Sequence, residues 1–160
     1  MEGVMIPSLT LILSSPDDIA RADSVLRGLS SRYEIVACGT GSAHDGTADR
    51  FQWTTVAPDL RTALQRATGD LVAIADPGAD LTDIGWLIPW ASECPVILSE
   101  HAPAGWLKFL RAPAPAITLI RRTELRRLLS NAVSHDAHGL AAAAERAGLP
   151  VAVPRPSLVA

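Results

Sequence analysis

Two aspartates close the stretch ATGDLVAIADPGADL, residues 67–81: Asp76 and Asp80, four apart across Pro77 and Gly78. Paired carboxylates at a strand end suit a hard divalent cation, Mg²⁺ or Mn²⁺, which in turn takes diphosphate oxygens. Asp-Pro-Gly is also strong turn chemistry without any ligand. A second stretch, CGTGSAHDGTAD (38–49), carries Gly39, Gly41 and Gly46 with Ser42 and Asp45. Its glycines allow a close backbone approach to a nucleoside or phosphate; the alternative is a polar connection made of ordinary turn residues. It lacks the GK[ST] ending of a Walker loop, and its glycine spacing does not fit a dinucleotide fingerprint. A third stretch, HDAH (135–138), places His135 and His138 three apart around Asp136. Two histidines could share a helix face for Zn²⁺, but a structural zinc site wants four ligands and neither cysteine lies near in sequence. A solvated helix start is the simpler reading. His44 beside Asp45 is a further acid–base candidate. Trp86 and Trp90 are four apart, and Trp106 and Phe109 three apart; such stripes stack on sugars, seal dimers or anchor cores.

The elements that must position these residues alternate. SLTLILSS (8–15) reads as a buried strand. A helix follows, with Ser15 as cap, Pro16 in the first turn, and Asp17 and Asp18 at the positive end of its dipole. Ile19, Ala22, Leu26 and Leu29 share one face. YEIVACG (33–39) and FQWTTVA (51–57) are strands. PDLRTALQRAT (58–68) is a helix with Leu60, Ala63, Leu64 and Ala67 inward and Gly69 as its stop. LVAIAD (71–76) is a central strand, because parallel strands covered on both faces read as continuous apolar runs. LTDIGWLIPWAS (81–92) is a short helix or turn limited by Pro89. PVILSE (95–100) and AITLIRR (116–122) are strands, joined by a proline-punctuated connection with one helical turn. TELRRLLSN (123–131) and DAHGLAAAAERAG (136–148) are helices, and LPVAVP (149–154) is a last strand. Alternating β and α predicts a mostly parallel three-layer sheet. Its ligands bind outside the carboxyl ends of the strands, here SSPDD, GTGSAHDGT and DPGAD.

The 160 residues suit one domain, 1–160, and 48% of them are apolar, enough for a core. A net charge of −3 argues against a dedicated nucleic-acid binder, which needs a basic stripe. Lys108 is the single lysine among 14 basic residues; with so much alanine, that arginine bias reads as the coding habit of a high-GC bacterial genome. Cys38 and Cys94 form no CxxC and read as reduced core residues of a cytoplasmic protein. No apolar run reaches the roughly 18 residues of a bilayer span, and no signal-peptide pattern opens the chain.

Taken in order, four segments resemble the family-2 glycosyltransferases of the GT-A fold, including polyprenyl-phosphate sugar transferases. They are SLTLILSSPDDIARADSVLRGLSSRYEIVACGTGSAHDGTAD, LRTALQRATGDLVAIADPGADL, AITLIRRTELRRLL and AERAGLPVAVP. The resemblance implies a three-layer α/β/α, mostly parallel, GT-A-like sheet, shortened between Asp80 and Ala116, where the family builds its acceptor side. It implies a nucleotide-sugar site lined by Asp17, Gly41, Ser42, Asp45 and Asp76. It also implies Mg²⁺ or Mn²⁺ on Asp76 and Asp80 if the donor site is active, and a catalytic base at His135 or Asp136. The chain departs from the family pattern in places. Gly39 and Thr40 stand where paired aspartates would be. Gly78 replaces the second aspartate of the DxD motif. Asp136 and Ala137 stand at the Glu and Asp of the ED-type motif, and the QxxRW motif is absent. Two functions follow: a divergent transferase of nucleotide-diphosphate sugars, or a catalytically inactive module that binds a protein partner or a second copy as a homodimer. A flavodoxin-like or Rossmann-like binding domain is a third possibility from outside the family.

Overall fold

The structure is a computed structural model, and it describes residues 8–13, 19–29, 32–38, 54–100, 115–130, 132 and 134–154. Seven strands form one sheet in the order β3-β2-β1-β4-β6-β5-β7. They are β1 (Leu9–Leu13), β2 (Tyr33–Cys38), β3 (Thr54–Ala57), β4 (Leu71–Ala75), β5 (Val96–Glu100), β6 (Ala116–Arg121) and β7 (Val151–Ala152). The helices are α1 (Ile19–Arg27), α2 (Leu60–Arg66), α3 (Ile84–Leu87), α4 (Arg122–Leu128) and α5 (Ala137–Arg146). Strands β3, β2, β1 and β4 run parallel, β6 runs antiparallel to both its neighbours, and β7 is parallel to β5. Only β6 is therefore reversed, and its first residue, Ala116, lies at the same edge as the carboxyl ends of the others.

The burial pattern explains the sheet. LTLIL of β1 and LVAIA of β4 are buried at every position, as central strands covered on both faces must be. Alternate residues feed two cores. Leu9, Leu11, Leu13, Leu71, Ala73 and Ala75 pack with Ile19, Ala22 and Leu26 of α1 and with Leu81, Ile84 and Leu87. Ile12, Val36, Val72 and Ile74 pack with Ala63 and Leu64 of α2, Leu125 and Leu128 of α4, and Leu140 and Ala144 of α5. Helical layers thus cover both faces, and the expected α/β, mostly parallel architecture is present as a mixed sheet.

Pro89 limits the short helix as expected: α3 ends at Leu87, two 3-10 turns, Leu81–Asp83 and Ile88–Ser92, flank it, and Pro89 sits at the start of the second, where its missing N–H costs nothing. Two local expectations change. Gly69 is not the stop of α2. The helix ends at Arg66 with Ala67 as its cap, and a Cβ on Gly69 would stand 2.6 Å from the Thr10 nitrogen. Glycine is needed there because the chain passes against the β1 backbone, where Gly69 N–H donates to the Thr10 hydroxyl. The final strand is short, Val151–Ala152. The proposed cap at Ser15, Pro16, Asp17 and Asp18 and the helical turn within 101–114 lie outside the described residues. Among the described residues, no helix is long and apolar enough to cross a membrane.

Candidate functional site

Strand order reverses between β1 and β4: β2 and β3 lie on one side of β1, and β4 and the later strands on the other. Such a switch point opens a crevice outside the carboxyl ends of the strands. Asp76 is the first residue beyond β4 and stands at that point. Its amide donates to the Ala116 carbonyl at 3.0 Å. Its Oδ2 accepts from the Ala116 amide at 3.1 Å, and its Oδ1 from the Ala137 amide at 3.4 Å. One half-buried side chain thus ties the end of β4 to the start of β6 and the start of α5.

Asp136 caps the same helix. Its Oδ1 accepts from Gly139 N–H at 2.6 Å, and its backbone is extended, as a cap requires. Two carboxylates therefore occupy the positive end of α5. Burial is the main force raising the Asp76 carboxyl above the ordinary carboxylate range; the two amides pull it back, the charge of Asp136 pushes it up, and His138 lowers it. His138 Nδ1 lies 3.3 Å from Glu100 Oε1 at the end of β5. Glycine at 139 is obligatory for this packing, since a Cβ there would stand 2.3 Å from the Ser134 carbonyl oxygen.

His135, two residues before α5, has a buried Nε2 with no hydrogen-bond partner. Asp59, at the start of α2, is held below the usual carboxylate range by the Thr62 amide, and His135 contributes to that lowering. The loop before α5 thereby reaches toward the β3 side of the carboxyl edge. Asp80 has a different setting. The Pro77–Gly78 turn is closed by Ala79 N–H donating to the Asp76 carbonyl, with Gly78 at a φ of 83°. Asp80 then caps the 3-10 turn of 81–83, accepting from the Thr82 amide at 3.1 Å and from the Thr82 hydroxyl.

Of the residues singled out in the sequence, the structure brings Asp76 and Asp136 together and places His135 beside them in the chain, at the same edge. Asp80 is turned to Thr82. Asp17, Gly41, Ser42 and Asp45 lie outside the described residues. Among the described residues, no group of three or more His, Cys, Asp or Glu is arranged to hold a metal ion. Cys38 and Cys94 are buried and free; burial, with a smaller contribution from Asp59, pushes the Cys38 thiol up to about 11. It is therefore a poor nucleophile or metal ligand at neutral pH. Glu100 is the residue that pattern reading missed. The signal was present, a carboxylate ending the PVILSE strand, which runs in the direction of β4 and so ends at this edge. Trp86 is half-buried against the core and donates to Asp83 at 3.0 Å, whereas Trp90 is exposed. Trp106 and Phe109 lie outside the described residues.

No protein-family model matches the chain, and no curated protein matches it.

Proposed function

We propose that this chain is a family-2-glycosyltransferase-like domain of the GT-A type whose carboxyl-edge carboxylates serve the fold, making it a non-catalytic binding or scaffold module. The observation that carries this reading is the engagement of Asp76. Each oxygen of the residue aligned with the metal-binding motif accepts a backbone N–H, Oδ2 from Ala116 and Oδ1 from Ala137, which aims the carboxylate at the chain's own backbone. A carboxylate ligand of Mg²⁺ or Mn²⁺ needs an oxygen aimed at the ion and further oxygen donors converging on it. Asp80, the nearest candidate in sequence, caps its own 3-10 turn instead. The positive end of α5 is likewise filled by the chain's own carboxylates, so a diphosphate would meet like charge there.

A second reading, a divergent transferase of nucleotide-diphosphate sugars, is favoured by His135. A buried, unpartnered imidazole nitrogen is costly, and a general base that accepts a proton from an acceptor hydroxyl would give it a use. Calorimetric titration with UDP, GDP and their sugars, with and without Mn²⁺, separates the two. The module predicts no Mn²⁺-dependent binding and a measurable assembly with itself or a protein partner. Mn²⁺-dependent binding that is lost in Asp76→Ala would establish the transferase reading instead.

A further inference from the structure

A cleft of about 490 Å³ opens on the opposite, amino edge of the sheet, between the 88–92 turn and the junction of β6 with α4. That volume is in the range of small-molecule sites. Leu71, Ile88, Pro89 and Ala91 form its apolar wall, and Arg121 and Arg122 its polar end. Both arginines are half-buried. Arg121 donates from Nε and Nη2 to the Ala91 carbonyl at 2.9 and 2.6 Å, and Arg122 from Nη1 to the Thr68 carbonyl at 3.0 Å. These partners are neutral. Among the described residues, no carboxylate forms an ion pair with either arginine. Asp70, at the rim, accepts instead from the amide and hydroxyl of Ser8. Each guanidinium carries five N–H donors, so donors remain on both arginines beyond those given to the Ala91 and Thr68 carbonyls.

We propose that this cleft binds a small amphipathic carboxylate. The Arg121 and Arg122 guanidinium groups take the carboxylate, and the wall of Leu71, Ile88, Pro89 and Ala91 takes the apolar body. A planar guanidinium fork matches a carboxylate in two parallel hydrogen bonds. The carbonyl bonds hold both groups in place before binding, which lowers the ordering cost. Asp70 at the rim favours a single negative charge over the double charge of a phosphate monoester. The cleft lies at the amino edge, so this assignment is independent of the function assigned to the carboxyl edge.

The test is calorimetric titration of the full chain with octanoate, with octan-1-ol and octyl phosphate as comparisons. Backbone amide shifts in nuclear magnetic resonance locate the site. The variants are Arg122→Gln, which removes one guanidinium, and Ser92→Phe, which fills the cleft from an exposed position without touching either arginine. Saturable 1:1 binding of octanoate is expected, with shifts centred on Ser92 and Arg121–Thr123. Octanol and octyl phosphate should bind about tenfold more weakly, and each folded variant should lose about tenfold in octanoate affinity. Absence of saturable octanoate binding would overturn the proposal. So would octanol or octyl phosphate binding as tightly as octanoate, or Ser92→Phe binding octanoate like the parent chain.

Discussion

Asp76 is where chemistry and architecture compete for one side chain. If both oxygens serve the backbone, Asp76→Ala strands the amides of Ala116 and Ala137, and the loss should be about 2–3 kcal/mol of stability in urea unfolding. The pH dependence has a definite sign. Asp76 is raised above the ordinary carboxylate value, so the folded protein binds its proton more tightly than the unfolded chain does. Its contribution is smallest above the raised value and grows as pH falls through it toward the ordinary one. The stability gap between the parent protein and Asp76→Ala should therefore be wider near about pH 4 than near pH 7. A gap that narrows on acidification would show that the ionised carboxylate is the form the fold prefers. Asp136→Ala removes a helix cap and should cost about 1 kcal/mol, read in the same unfolding experiment.

At the scale of elements, two glycines hold the edges of the molecule by close approach. Gly139→Ala would force a methyl to within 2.3 Å of the Ser134 oxygen, and Gly69→Ala to within 2.6 Å of the Thr10 nitrogen, both backbone atoms. Each should lower stability by about 2 kcal/mol or more. The consequences differ by location. Gly139→Ala should also shift the amide resonances of Asp76, Ala116 and Ala137 at the carboxyl edge. Gly69→Ala should leave those in place and shift Thr10 and Glu34, whose carboxylate accepts from the Thr10 and Thr68 hydroxyls. Much of this level was legible in the chain. LVAIA is a continuous apolar run, LTLIL and AITLI are apolar but for the β-branched Thr10 and Thr118, and the inward positions of α2 followed from spacing. Gly69 was misread as a helix stop because sequence position near a helix end says nothing about which backbone passes beside it. Glu100 was overlooked because its pairing with His138 of α5 is set by tertiary packing rather than local pattern. Asp80 could be placed in a turn from Asp-Pro-Gly, but the Thr82 hydroxyl that engages it is a choice of side-chain geometry.

At the scale of the whole molecule, one sheet presents two separate edges. The carboxyl edge gathers Asp76, Asp136, His138 and Glu100 around the start of α5, and the amino edge holds the arginine-lined cleft. Four sequence segments in family order and a switch-point carboxylate support the glycosyltransferase-like reading. The hydrogen bonds of Asp76 and Asp80 support its non-catalytic form. The measurement that bears most directly on this account is calorimetric titration of the intact protein with UDP and GDP sugars in the presence and absence of Mn²⁺. The account predicts no heat of binding that depends on Mn²⁺. Micromolar, Mn²⁺-dependent binding of one nucleotide sugar, abolished by Asp76→Ala in a folded variant, would contradict it and return Asp76 to the chemistry of a donor site.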